Sequence, residues 1–368
     1  MKDYLPQPTP DPPTDRIVRR EFLRKASAAA VALSFPITPG LIKDTRMGVV
    51  VHSYASRWNS KVESKNYPGF LNAIDLLEHC HHIGAGGIQV GVKDWTIDFA
   101  KKVRDRREQL GLYLEGSIGM PGKAEDVSRF EQEVISAKEA GARVLRTVCS
   151  AGRRYEIFHS LEAFLDSKRI ALTSLALAEP ILRKHKVKLA VENHKDWRAK
   201  ELVIMIKQLN SEWIGVTLDF GNSIALMEDP LEVIQTLAPY MFSTHVKDMG
   251  VDEYEDGFLL AEVPLGVGIL DLPKIMAICK QHNPDTTFNL EMITRDPLEI
   301  PCLKDDYWAT FDGVTGVELA RTLRMVRQHK FEPALPRVSQ LSAEDRLAAE
   351  EQNITASFTY SKASLGLK

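Results

Sequence analysis

The sequence predicts an α/β barrel of eight strand–helix units, a (β/α)8 fold, flanked by an N-terminal segment and a short C-terminal extension. Three observations predict it. From Arg46 onward, short apolar runs alternate with longer stretches of helical period. Eight such pairs fill about 280 residues, the length of one barrel. Four of the apolar runs end abruptly in a side chain that can bind a metal ion, and the C-terminal rim of a barrel is where such chemistry sits. A doubly wound open sheet would have fewer strands and a glycine-rich phosphate turn, which the sequence lacks.

The strands are expected at Met47–Ser53, Gly87–Val90, Leu112–Ser117, Arg143–Val148, Val187–Glu192, Trp213–Asp219, Met241–Val246 and Thr286–Glu291. Helical periodicity marks Phe70–Ile83, Ile97–Leu110, Val127–Ala140, Leu161–His185, Ala199–Leu209, Pro230–Leu237, Leu272–Gln281 and Gly316–Gln328. Gly84, Gly111 and Gly141 each follow a helix pattern, where a left-handed C-terminal cap needs a residue without a Cβ. The barrel is therefore assigned to 46–330. The tail, 331–368, opens with prolines. Ser342-Ala-Glu-Asp then caps a short helix expected to end near Gln352 and to pack on the barrel exterior or on a second subunit of a homo-oligomer.

Composition is ordinary for a globular chain of 368 residues, with 44% hydrophobic and 26% charged residues. A net charge of −3 supplies no field for nucleic acid or anionic membrane. The four cysteines lie far apart with no C-x-x-C pair, so neither a zinc knuckle nor a disulfide scaffold is expected. His79-Cys-His-His82 falls on the last turns of a helix and reads as exterior surface.

Residues 1–45 differ from the rest. After a Pro- and Asp-rich start come Arg16-Ile-Val-Arg-Arg-Glu-Phe-Leu-Arg-Lys25 and the small-residue run Ala26–Phe35. The twin arginine, basic flank and weakly apolar run resemble a bacterial twin-arginine export signal. The run is too short to span a bilayer. The resemblance implies an encounter with the Tat export machinery and a periplasmic or otherwise extracytoplasmic destination.

The chemistry centres on Lys188-Leu-Ala-Val-Glu-Asn-His-Lys195, a strand that ends in Glu192. The next strands end in Asp219, His245 and Glu291. Glu192, Asp219 and His245 are one repeat apart, and an insertion, Val251–Gly268, precedes Glu291. Three carboxylates and an imidazole on consecutive strand ends form an oxygen-rich set for one divalent ion. Mn²⁺ suits it first, with Mg²⁺, Co²⁺, Fe²⁺ or Zn²⁺ as alternatives.

Val191-Glu-Asn-His, Leu218-Asp-Phe-Gly-Asn, Thr244-His-Val-Lys-Asp and Leu290-Glu-Met resemble the signature of the xylose-isomerase-like barrel superfamily, within it the sugar phosphate isomerase/epimerase group. The resemblance spans about Arg46 to Lys330. It implies that Glu192, Asp219, His245 and Glu291 bind the metal. It also implies that Glu192 and Glu291 act as acid/base groups on opposite faces of a carbohydrate. Removing a proton beside a carbonyl leaves an enediolate, and a chelating metal would stabilise it. The sequence departs from ketose 3-epimerases in having Asn222 where they carry a histidine, and in having no arginine shortly after His245.

Further substrate contacts are expected from His194, on the same side of the rim as Glu192, and from Asn222 and Lys247. His52, at the end of the first strand, and Glu115, in the third, should face the same mouth. Pro264–Asp271 is expected beside the metal, its glycines letting backbone approach the substrate. The function these residues predict is a metal-dependent sugar isomerase or epimerase. The alternatives are a lyase or dehydratase that expels a β-leaving group from a keto-sugar, and a non-catalytic sugar-binding protein.

Overall fold

The computed structural model describes residues 46–58, 60, 62–150 and 152–367; the export-signal reading of the first 45 residues lies outside them. Eight parallel strands close into a barrel. Seven of them are β1 (Met47–Val50), β2 (Gly87–Gly91), β3 (Tyr113–Ser117), β4 (Val144–Thr147), β5 (Lys188–Glu192), β6 (Ile214–Asp219) and β7 (Met241–Val246). An inserted hairpin, β8 (Asp248–Tyr254) and β9 (Gly257–Val263), precedes the eighth barrel strand, β10 (Thr287–Leu290). β10 pairs with both β7 and β1, which closes the cylinder.

The (β/α)8 fold read from the sequence is the one observed. The strands lie within one or two residues of expectation, except the first. There the chain leaves the ladder after Val50 and turns through a 3-10 segment, Val51–Tyr54. Ser53 causes the departure: its Oγ donates to Leu290 O and accepts from Met292 N, tying this turn to the end of β10.

The outer ring consists of α1 (Ala73–His82), α2 (Ile97–Leu110), α3 (Val127–Glu139), the single turn α4 (Arg154–Ile157), α5 (Leu161–His185), α6 (Ala199–Leu209), α7 (Pro230–Leu237), α8 (Leu272–His282) and α9 (Gly316–Gln328). Side chains cap several starts: Asn72, Thr96, Ser160, Asp229, Asp271 and Thr315 each accept from a backbone N–H of the first turn. Gly111 closes α2 at φ 65°, as a left-handed cap requires. Strands buried on both faces explain the continuous apolar runs. Ile88, Val90, Leu189, Val191, Val216 and Leu218 are fully buried against helix residues such as Leu76, Val134, Leu175 and Leu202.

Two features go beyond the sequence reading. The stretch read as an insertion is an antiparallel sheet in which β9 lies between β8 and β11 (Leu298–Ile300). Its own apolar cluster includes Met249, Val251, Phe258, Leu260, Ile300 and Tyr307. The tail helix α10 (Ala343–Ser364) runs well past Gln352, because Leu347, Ile354 and Phe358 continue one buried stripe. It does pack on the barrel, and it also ties down loops of the mouth. Glu350 accepts from Ser56 N and Arg57 N, Ser357 Oγ accepts from Leu265 N, and Asn353 Nδ2 donates to Thr294 Oγ1. The histidine run is therefore not all exterior: His79 lies under α10, with Glu351 3.3 Å away and Tyr54 Oη 2.8 Å away.

Candidate metal centre

Glu192 ends β5, Asp219 ends β6, His245 is the penultimate residue of β7, and Glu291 follows β10. All four are buried, and one donor atom from each lies within 4.8 Å of the other three. Donors held about 2.1 Å from a single ion lie up to about 4.3 Å apart, so the set closes on an ion with shifts of a few tenths of an ångström. His245 Nδ1 is 3.4 Å from Glu291 Oε2, 3.6 Å from Glu192 Oε1 and 3.8 Å from Asp219 Oδ2.

Two buried atoms fit an ion directly. His245 Nδ1 has no hydrogen-bond partner, and Asp219 Oδ2 has only its ion pair with Lys247. The other Asp219 oxygen, Oδ1, is taken by Gly221 N (3.0 Å) and Asn222 N (2.7 Å), which aims Oδ2 inward. Asn193, between Glu192 and His194, holds the same strand end: its Oδ1 accepts from Asp219 N at 2.7 Å and its Nδ2 donates to Asp219 O.

Two cations meet these carboxylates, and a third stands beside them. Arg146, pointing in from β4, donates Nε to Glu192 Oε2 at 2.6 Å. Lys247 Nζ lies 2.6 Å from Glu291 Oε2 and 2.7 Å from Asp219 Oδ2. Lys195 donates to Asn222 Oδ1. Burial pushes the Glu192 carboxyl up, but Arg146 and His245 outweigh it and hold it well below the carboxylate range. Lys247 and His245 do the same for Glu291 against its own burial. Burial lowers His245, yet the charges of Glu291 and Glu192 outweigh it and push the imidazole up to about 10. A divalent ion would take over that proton's role.

Each residue singled out in the sequence has a definite place. His52 reaches Glu291 Oε1 with Nδ1 at 3.2 Å, and its side chain is 46% exposed, so it stands at the opening. His194 is half-buried with Nδ1 unpartnered, and burial pushes its pKa down to about 3. Asn222 contacts Glu192 Oε1 through Nδ2 (3.0 Å) and both lysines through Oδ1, so within the protein it orients charged groups. Glu115 lies beneath the ligand set and not at the mouth. Its oxygens accept from Gln89 Nε2, Ser243 Oγ, Thr287 Oγ1 and Asn289 Nδ2. Lys247 does not pair with its neighbour Asp248. That carboxylate is wrapped by the N–H groups of Met249, Gly266, Gly268 and Leu270. The glycines of Pro264–Asp271 thus bring backbone to Asp248: a Cβ on Gly268 would collide with that carboxylate.

Gln89, Arg146 and Lys195 belong to the site and carry no motif signal. Their only mark in the sequence is a polar residue inside a barrel strand, or just past its end, where packing alone would place an apolar one.

A family model described as xylose isomerase-like TIM barrel matches residues 77–309. The chain belongs to that family. A 3-oxo-isoapionate decarboxylase from Pectobacterium atrosepticum is 26% identical over 231 residues, 61% of this chain and 78% of the relative. A D-psicose 3-epimerase from Clostridium cellulolyticum H10, solved with D-tagatose, superposes with a TM-score of 0.57 at 11% identity, over 87% of this chain and 99% of that one. A xylose isomerase-like TIM barrel protein from Mycobacterium smegmatis, solved with magnesium, gives 0.52 at 15% identity, over 76% and 98% of the two chains. These structural likenesses establish the fold. Among the described residues, no helix is long and apolar enough to cross a membrane.

Proposed function

We propose that this protein is a divalent-metal-dependent isomerase or epimerase of a carbohydrate that carries a hydroxyl beside a carbonyl. The observation that carries the reading is the closed, buried set of Glu192, Asp219, His245 and Glu291 with its unpartnered His245 Nδ1. When bound, an ion such as Mn²⁺ supplies Lewis-acid polarisation of the substrate's carbonyl and hydroxyl oxygens.

The chain's own groups do the rest. Glu192 and Glu291, on β5 and after β10, present carboxylates that take a proton from carbon and return it. Arg146 holds Glu192 ionised and Lys247 does so for Glu291, so both groups start as bases. The Lys247 ammonium also offsets the negative charge that develops on oxygen as the C–H bond breaks. His52, at the opening, fixes Glu291 and faces incoming substrate. Burial keeps water from the ligand set and strengthens each of these interactions.

A lyase is the second reading, and the decarboxylase relative favours it. Loss of carbon dioxide from a 3-oxo acid leaves an enolate that Glu192 or Glu291, once protonated, would protonate at carbon. Expulsion of a β-leaving group begins with the same proton abstraction as isomerisation, and the proton then goes to the departing oxygen. The twin-arginine pattern at Arg19-Arg20 supports an extracytoplasmic site of action.

The test is proton exchange. Mn²⁺-loaded protein in D₂O is offered neutral ketoses, keto-glycosides and oxo-acids of sugars and followed by NMR. Deuterium in a recovered or epimerised sugar is the expected result. Loss of carbon dioxide, a hydroxyl or an aglycone selects the lyase. No turnover of any kind overturns both.

A further inference from the structure

Lys195 lies three residues past β5 and turns its ammonium inward; only 2% of the residue is exposed. The neighbouring cations each face a carboxylate. Arg146 has Glu192, Lys247 has Asp219 and Glu291, and Arg295 has Glu262. Lys195 donates to a neutral oxygen, Asn222 Oδ1, and among the described residues no carboxylate lies within ion-pair distance of it.

Asn222 cannot neutralise that charge. Its Nδ2 is committed to Glu192, and its Oδ1 is also approached by Lys247 Nζ at 3.4 Å. Two ammonium groups thus crowd one amide oxygen. A buried ammonium without an anion is costly, and a second one beside it adds repulsion. Burial, then Lys247, push Lys195 down to about 8, against the weaker pull of Glu262 and Asp219. The imbalance grows when Asp219 and Glu291 turn to a divalent ion, because Lys247 then shares its partners.

We propose that Lys195 and Lys247 form an anion seat beside the ligand set, and that the substrate carries a carboxylate next to its reacting carbons. The substrate class is then an oxo- or hydroxy-acid of a sugar. This rests on the metal-dependent reading above. Position decides between carboxylate and phosphate. Lys247 touches two of the metal-ligand residues themselves, so the seat lies within a bond or two of the reacting atoms. A sugar phosphate carries its anion at a terminal carbon, several bonds away. A neutral ketose would leave Lys195 unpaired.

The experiment is calorimetric titration of the full-length protein, first with Mn²⁺ and then, Mn²⁺-loaded, with tartronate, dihydroxyacetone and inorganic phosphate. Wild type, Lys195→Met and Lys195→Gln are compared; glutamine retains a donor for Asn222 and guards against misfolding. Tartronate should bind wild type and weaken by about tenfold or more in both variants, the scale for losing a charge-assisted contact. Mn²⁺ and dihydroxyacetone should bind all three proteins alike. Lys195→Met should also raise the thermal midpoint of the metal-free protein, because it removes a buried unpaired charge. Equal tartronate affinity in wild type and variants overturns the seat, as does Lys195-dependent binding of phosphate with none of tartronate. Mn²⁺ that fails to bind wild type overturns the metal-dependent reading as well, so the two failures are distinguishable.

Discussion

Gln89 Oε1 accepts a hydrogen bond from His245 Nε2 at 2.8 Å, linking β2 to β7 across the barrel. The direction follows from the next contact. Gln89 Nε2 donates to Glu115 Oε2 at 2.9 Å, so the amide oxygen must face the imidazole. His245 therefore keeps a proton on Nε2 and turns Nδ1 toward Glu192, Asp219 and Glu291, where a divalent ion would replace the second proton. Glu115 and Gln89 form a relay that fixes which ring nitrogen His245 turns toward the rest of the candidate set. Replacing Gln89 with leucine should weaken Mn²⁺ binding by about 10- to 100-fold with the barrel intact, measured by calorimetry. Unchanged affinity would show that the relay is dispensable.

Glu291→Gln tests the proton-transfer role. The variant keeps its size and one acceptor but cannot serve as a base. Deuterium exchange should fall by about 10²- to 10⁴-fold, with an unaltered far-ultraviolet circular dichroism spectrum. Near-wild-type exchange would remove Glu291 from the mechanism.

The C-terminal helix is part of the mouth. Glu350 accepts from Ser56 N at 2.7 Å and Arg57 N at 3.2 Å, in the segment that follows His52. Glu350→Ala leaves Ser56 N without a partner, at about 1–3 kcal/mol, and Arg57 N with Tyr54 O alone. Urea denaturation should show that loss. Exchange activity should fall with it, because the His52 turn is no longer held.

Glu228 gives a pH signature with a definite sign. Burial pushes its carboxyl up to about 7, against the opposing pull of Arg198 and Ala199 N. A raised carboxyl contributes stability that is fully present below its unfolded value near pH 4.5 and is lost as pH rises through about 7. Glu228→Gln has no charge to bury. The variant's stability should therefore improve relative to wild type between pH 5 and pH 8, by up to about 3 kcal/mol. Thermal melts at both pH values check this. A difference that does not move with pH would mean that Glu228 is ionised throughout.

The eight barrel strands were legible in the sequence because a strand buried on both faces needs an unbroken apolar run, and such runs recur at barrel spacing. Two helix ends were legible through Gly111 and Ser342, whose chemistry acts within one turn. The four residues of the candidate metal set could be read because each stands at or beside the end of an apolar run. A carboxylate or imidazole at such a point has no packing role to explain it. Tertiary structure alone decided the rest. Arg146 meets Glu192 by crossing from β4 to β5, Gln89 meets His245 only when the cylinder closes, and Lys195 meets Asn222 through the curl of two neighbouring loops. The β8–β9–β11 sheet and the grip of α10 on Ser56 and Arg57 likewise join segments far apart in the chain. Such contacts leave no periodicity in sequence, because their partners are brought together by barrel closure and not by local backbone preference.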